Sequence, residues 1–220
     1  MYFNSQYLSF FNRLRENNNR IWFQEHQDEY IRDVKTPFSS FISSMLEKTA
    51  VFYPSIHRNP AKCIFRINRD VRFAKDKSPY KLNMAAVLAP GGTKERIWPT
   101  FYIHLGADQL MIGGGIYFAN KQQIHQIRQE IYYRAEDFTA AITPDFINSF
   151  GEIKGDKNKI LPSPYNEAVH ILPLLANKQW WYFRELSHHE LFREDLTDII
   201  CTHFSHALPL HKFFIEALTS

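Results

Sequence analysis

The first fifty residues place their apolar side chains three and four apart. Phe3, Tyr7, Phe11 and Leu14 form one helical stripe. Asn17, Asn18 and Asn19 then interrupt it, and an asparagine there can cap a second helix carrying Phe23, Tyr30 and Val34. Pro37 restarts the pattern, after which Phe38, Phe41, Ile42, Met45 and Leu46 make a third stripe. From Lys62 to Phe118 the spacing changes from helical to extended. Four runs, KCIFRI, NMAAVLA, TFYIHL and LMIGGGIYF, are separated by turn signals at Pro79 and at Gly91 and Gly92. The gaps are too short for the crossover helices of a parallel sheet, so the pattern predicts an antiparallel meander.

After Asn120, a fitting N-cap, the helical period returns with Ile124, Ile127 and Ile131, and a second helix is expected through Phe146. The broken polar stretch Gly151 to Pro164 reads as a surface loop, and the WWYF run that follows at 180–183 as a final strand. At the C-terminal end Leu196, Ile199, Ile200, His203, Phe204, Ala207 and Leu208 share one helical face. Pro209 interrupts it, and Leu210, Phe213, Phe214, Ala217 and Leu218 share another. The expected fold is therefore α+β, a mainly antiparallel sheet flanked by N-terminal and C-terminal helices. It forms one domain over 1–220, helical at 1–50, sheet-rich at 62–118, and helical and mixed at 120–220. No internal repeat is present.

With 220 residues, 45% hydrophobic and 22% charged, the chain has enough apolar material for a packed core without staples. Phe, Tyr and Trp number 19, 11 and 4, so large rings fill much of that core. The N-terminal stretch lacks the basic start and apolar run of a secretory signal, and no stretch has the apolar length of a membrane span. A cytoplasmic location and no membrane partner are the expectation. Cys63 and Cys201 are too few and too far apart for a zinc ribbon or a disulfide framework, and both are expected as buried thiols. His188 with His189, and His203 with His206, have no carboxylate completing a ligand signature, so no metal site and no cofactor are assigned.

Charge changes the picture in one place. Between Arg58 and Lys81 there are eight basic residues, Arg58, Lys62, Arg66, Arg69, Arg72, Lys75, Lys77 and Lys81, against Asp70 and Asp76. That local excess of six stands in a chain whose net charge is +3, so the rest of the molecule is net acidic. Guanidinium forks at Arg66, Arg69 and Arg72 suit phosphate or carboxylate, and Tyr80 adds a ring with a polar tip. The competing reading is internal: Asp70 and Asp76 pair with neighbouring cations, as most charged runs do.

The string FRINRDVRFAKDKSPYK, with NNNRIWFQEHQDEY upstream and GGGIY and IRQEI downstream, resembles a bacterial and fungal family catalogued as domain of unknown function 2461. The resemblance runs from about Phe10 to the C-terminal helix. It rests on Phe65, Arg66, Arg69, Asp70, Arg72, Phe73, Lys75, Asp76, Lys77, Pro79, Tyr80 and Lys81. Ala74 stands where that family tends to have Ser, and the stretch from Lys154 to Tyr165 departs from the family's Lys-, Pro- and Gly-rich pattern, so no role carries over to that loop. The resemblance implies a shared fold and points to this region. It implies no reaction.

Other constellations are weaker. Gly113, Gly114 and Gly115 sit inside a strand pattern without the Lys and Ser or Thr of a phosphate loop, which points to a bulge or the close approach of another backbone. His104 and Tyr102 alternate on one strand face, which would bring them together with Arg66 in a cleft suited to acid and base work. Arg128 either reaches the glycine run or pairs with Glu130 or Asp137. Glu152 and Lys154 form an E-x-K outside any core strand and are set aside.

Three functions follow from the same residues. The first is an anionic small-molecule site, enzymatic or not, in which Arg66, Arg69, Arg72, Lys75, Lys77, Lys81 and Arg128 hold the ligand and His104, Asp70 and Tyr80 are the catalytic candidates. The second is nucleic-acid binding, with the same cations on phosphates and Phe73 or Tyr80 stacking on a base. In the third, the motif is an ion-pair and turn network inside a non-catalytic interaction module. Nothing in the pattern specifies an oligomer.

Overall fold

The computed structural model describes residues 1–94 and 97–219. Its helical start follows the sequence. Helix α1 (Ser5–Glu16) begins where the Asn4 side chain accepts the Gln6 N–H, and it buries Tyr7, Phe10, Phe11 and Leu14. Helix α2 (Arg20–Glu25) is capped by Asn19, whose Oδ1 accepts the Trp22 N–H at 3.0 Å. Helix α3 (Gln27–Glu29) leads through a π-helical turn, Tyr30–Lys35, into α4 (Thr36–Thr49). Pro37 accounts for that turn. It has no N–H to give and its ring blocks the carbonyl four residues back, so the ladder widens and the Thr36 N–H bonds to Ile31 O, five residues away.

The KCIFRI run is corrected by the structure. It forms a helical turn, α5 (Pro60–Cys63), with Asn59 as N-cap and Pro60 in the first turn, and then only an isolated bridge between Ile64 and Ala86. The other three runs and WWYF are strands: β1 (Asn83–Leu88), β2 (Thr100–Gly106), β3 (Leu110–Ile116) and, later, β4 (Trp180–Glu185). They form one antiparallel sheet in the order β1-β2-β3-β4, the meander expected. In β2, Phe101, Ile103 and Leu105 are fully buried while Tyr102 and His104 on the opposite face are half-buried.

Helix α6 (Lys121–Tyr133) starts on a full capping box between Asn120 and Gln123. The single helix expected next divides into α7 (Ala135–Ala141) and α8 (Pro144–Phe150), because Thr143 caps a new start with Pro144 behind it. Residues 151–164 contain no helix or strand and are tied down by bridges from Lys154 to Trp181 and Lys157 to Asn177. The short α9 (Tyr165–Ala168) and a 3₁₀ turn, Pro173–Ala176, precede β4, and α10 (His188–Leu191) follows it. Helices α11 (Leu196–His206) and α12 (Leu208–Thr219) break at Ala207, so Pro209 sits in the first turn of α12, where its missing N–H costs nothing. The fold is α+β. Among the described residues, no helix is long and apolar enough to cross a membrane.

The chain divides into two compact units. Unit 1 comprises Met1–Lys94, Tyr102–Ile112 and Glu185–Cys201; unit 2 comprises Glu95–Phe101, Gly113–Arg184 and Thr202–Ser220. In unit 1 the core is aromatic: Phe10 meets Trp22, Phe23 and Tyr30, while Phe3 meets Tyr7 and Phe41. The Tyr7 hydroxyl, fully buried, donates to Leu105 O at 3.0 Å. In unit 2, Phe101 stacks on Phe204 and on His211, each with ring centroids 4.4 Å apart, and Tyr182 packs against Phe146 and Phe150. The glycines of β3 belong to this packing. A Cβ at Gly113 would lie 2.2 Å from Tyr182 O, and Gly115 adopts φ +98°, so the run serves both the close approach of β4 and a bulged backbone.

Candidate functional site

A cleft of about 550 Å³ opens in unit 1. Its walls come from the end of α1 (Arg15) and Asn18, from Arg69, Asp76, Ser78 and the run Tyr80 to Asn83, from His104 on β2 and from Asp108 and Gln109 in the β2–β3 turn. Arg69, Asp76, Ser78, Tyr80 and Lys81 of the motif all line it.

The motif is built as a closed loop. The Arg69 N–H bonds to Pro79 O at 2.8 Å and the Lys81 N–H to Ile67 O at 2.9 Å, which leaves the N–H and carbonyl of Tyr80 pointing the other way. Asn18 meets both: its Nδ2 donates to Tyr80 O at 3.0 Å and its Oδ1 accepts the Tyr80 N–H at 3.1 Å. The Tyr80 ring stacks on Phe23 at 4.0 Å and is buried. Thus the NNN run and the SPYK end of the motif, distant in sequence, hold one another.

The acidic residues organise the loop. Asp76 accepts the Arg69 guanidinium, the Ser78 hydroxyl at 2.6 Å and the Ser78 N–H at 2.9 Å. The Ser78 hydroxyl and then Arg69 hold its carboxyl well below the usual range. Asp70 takes a bidentate pair from Arg72, at 3.0 and 2.7 Å, which lowers its pKa. The Lys77 ammonium donates to Val71 O at 3.0 Å, and Lys81 to Arg66 O at 3.0 Å. Arg72 and Phe73 stand in solvent, the Phe73 residue 95% exposed.

The sequence-predicted residues therefore separate. Arg69, Lys81, Tyr80 and His104 come together in the cleft. Arg66, Asp70, Arg72, Lys75 and Lys77 are exposed and lie outside its lining. Arg128 is buried in unit 2, donating to Leu175 O at 2.7 Å and Asn177 O at 3.1 Å; among the described residues it forms no ion pair, and Arg134 makes the bonds to Glu130 and Asp137 instead. Sequence reasoning missed Arg15, Asn18, Asn83, Asp108 and Gln109. Arg15 forms an ion pair with Asp108 at the rim.

His104 is the group in this cleft with a shifted imidazole. Burial, and then the Lys81 charge, lower its pKa and keep the ring neutral. The Tyr102 hydroxyl lies 3.2 Å and the Asn83 amide nitrogen 3.4 Å from its Nδ1. The Asn83 amide nitrogen can only donate, so Nδ1 is assigned as the acceptor and the ring proton to Nε2, an arrangement the Tyr102 hydroxyl fits by donating as well.

His203, His206 and the two cysteines belong to the packed structure. His203 and His206 both bond through Nδ1 to the Ser149 hydroxyl, at 3.0 and 2.8 Å. Cys63 is buried and Cys201 half-buried, and burial pushes both thiols up to about 11. Among the described residues, no group of three or more His, Cys, Asp or Glu gathers in a way that could hold a metal ion.

The sequence model of the family described as Conserved hypothetical protein (DUF2461) matches residues 6–213. The chain belongs to this family. The DUF2461 match takes in both the motif loop of unit 1 and the glycine run and helices of unit 2. Ala74 is half-buried within the exposed loop of unit 1, and residues 154–165 run through the long loop of unit 2 to the start of α9. No curated protein and no solved structure matches the chain.

Proposed function

We propose that the unit 1 cleft binds a small anionic ligand bearing phosphate or carboxylate. The observation that supports this is the convergence of Arg15, from the end of α1, with Arg69 and Lys81, from the two arms of the motif loop, around a neutral His104. Arg15 and Arg69 already carry aspartate partners. A guanidinium has five N–H donors and one carboxylate engages at most two, so donors remain for a ligand. Asp108 and Asp76 then act as props that hold the forks at the rim. His104, with its proton on Nε2, adds a neutral donor and is the cleft group suited to proton transfer.

The test is a thermal-shift screen of phosphate-bearing and carboxylate-bearing metabolites, nucleotides and short polynucleotides at low and high salt. A ligand present at about 100 times its dissociation constant adds about 2.7 kcal/mol, roughly 5–10 °C for a chain of this length. Two variants separate the readings: Arg69→Gln with Lys81→Gln inside the cleft, and Arg66→Gln with Arg72→Gln outside it. A small-ligand response abolished only by the first pair sustains the proposal.

One observation favours a second reading, nucleic-acid binding. Phe73, 95% exposed, stands beside Arg72, whose guanidinium is 5.9 Å from its ring, on a loop that also displays Lys75 and Lys77. A polynucleotide response that disappears in salt and in the outer pair, but survives in the cleft pair, replaces the first reading with this one. Early melting of the cleft pair without any ligand response makes the motif scaffold.

A further inference from the structure

We propose that unit 2 carries an independent binding site for a neutral saccharide, in the cleft between the end of β3 and the start of α6. This cleft measures about 560 Å³ and is lined by Tyr117, Phe118, Asp156, Lys178 and Gln179 together with the Asn120 cap region. Its volume falls within the range of about 300–1,000 Å³ typical of small-ligand pockets.

Two rings define it. Tyr117 is 53% and Phe118 50% exposed, adjacent in sequence and packed edge-to-face with centroids 4.9 Å apart. In a chain that buries most of its aromatic surface, a neighbouring pair left half in solvent is an open stacking platform. Trp181, 6.2 Å from Tyr117, extends the aromatic surface along β4. The platform is held rigidly from both sides. The β3 glycines fix the backbone against β4, and Gln123 closes the capping box with Asn120 while its Nε2 donates to Ile97 O at 3.2 Å. The Gln123 amide and the Asn120 Oδ1 are thereby committed to the frame.

The polar groups left over set the ligand. Among the described residues, the side chains of Asp156, Lys178 and Gln179 make no hydrogen bond or ion pair. They provide one carboxylate, one ammonium and one amide, with no net charge. A phosphate would meet Asp156 at a cost, and a wholly apolar ligand would leave all three desolvated and unpaired. A pyranose satisfies both halves of the site. Its C–H face rests on the negative face of an aromatic ring, while its hydroxyls, each donor and acceptor at once, pair with carboxylate, ammonium and amide. This site shares no residue with the unit 1 cleft, so it stands or falls separately.

The experiment is ligand-observed saturation-transfer NMR on the full chain with maltotriose, cellotriose and tri-N-acetylchitotriose, and with phenylalanine and a short oligothymidylate as zwitterionic and anionic probes. Saturable binding of at least one trisaccharide is expected, with a dissociation constant of about 1 mM or tighter. Tyr117→Ala with Phe118→Ala is expected to weaken it about tenfold or more while the melting midpoint moves by about 2 °C or less. Arg69→Gln with Lys81→Gln is expected to bind the trisaccharide like the unaltered protein. Asp156→Ala, at an exposed position, removes an acceptor while leaving the rings in place, and weakened binding there supports the site even where the ring variant melts early. The proposal is overturned by the absence of saturable binding to any trisaccharide, by binding unchanged in Asp156→Ala or in the folded ring variant, or by a response to phenylalanine or oligothymidylate alone.

Discussion

Three consecutive asparagines, Asn17, Asn18 and Asn19, are near-identical in sequence terms, yet the structure assigns them three different energies. The Asn17 Nδ2 donates to Arg13 O at an exposed helix end, where water replaces it readily, so Asn17→Ala costs at most about 0.5 kcal/mol. Asn19 caps α2 through the Trp22 N–H, and losing an N-cap costs about 1 kcal/mol. Asn18 makes two bonds to the backbone of Tyr80, a residue whose own ring is buried and stacked on Phe23. Its removal leaves both a donor and an acceptor in a partly buried place, at about 1–2 kcal/mol for each. Asn18→Ala is therefore expected to lose about 2–4 kcal/mol, a fall in melting midpoint of roughly 5–15 °C. The three alanine variants, melted side by side by circular dichroism, should rank Asn18, Asn19, Asn17. Equal losses at all three, or the largest loss at Asn17 or Asn19, refute the claim that Asn18 joins the helical start of the chain to the motif loop.

Further outcomes follow from unit 2 and from the exposed loop. Gly113→Ala drives a Cβ into Tyr182 O and is expected to cost about 3 kcal/mol, whereas Gly151→Ala has open space around it and meets only the backbone strain of φ +69° and ψ −135°, about 2 kcal/mol; denaturant midpoints compare them. His211 is buried against Phe101 and Tyr182, and burial lowers its pKa to about 3. The unfolded chain takes up this proton near pH 6.5 and the folded one does not, so its contribution to stability erodes as pH falls from about 6.5 towards 3, by at most about 1.4 kcal/mol per pH unit. In His211→Phe that slope should flatten between pH 6.5 and 5, above the range where Asp70 and Asp76 titrate; an unchanged slope contradicts the assignment. Phe73→Ser should leave the melting midpoint within about 1–2 °C of the unaltered protein, since the ring packs on nothing in the core.

Where the sequence was legible, the side chains carried a period. The stripe Tyr7, Phe11 and Leu14, the alternation of Phe101, Ile103 and Leu105, and the cap at Asn120 all read directly into α1, β2 and α6. KCIFRI misled because its alternation is genuine but short, while Asn59 and Pro60 just before it carry a helix-start signal that wins locally. Arg128 held a readable clue: it falls on the stripe of Ile124, Ile127 and Ile131, and a cation on an apolar stripe ends up buried with its donors on carbonyls. In the cleft, Arg69, Lys81 and His104 were found from charge and alternation. Arg15 and Asp108 were not, because their meeting depends on how the end of α1 reaches the β2–β3 turn, a tertiary fact that no local pattern encodes.

The way the two units share the chain limits how it can be cut. Unit 1 needs Glu185–Cys201 as much as its first 94 residues, and unit 2 takes in Glu95–Phe101 from the middle of unit 1 and Thr202–Ser220 from the far end. Both β2 and β3 begin in one unit and finish in the other. A fragment that stops anywhere between residues 113 and 184 strips unit 1 of its last segment and leaves unit 2 incomplete at the same stroke. Neither cleft can thus be expressed as a portable half, and transplanting either into another protein means carrying the whole interleaved chain.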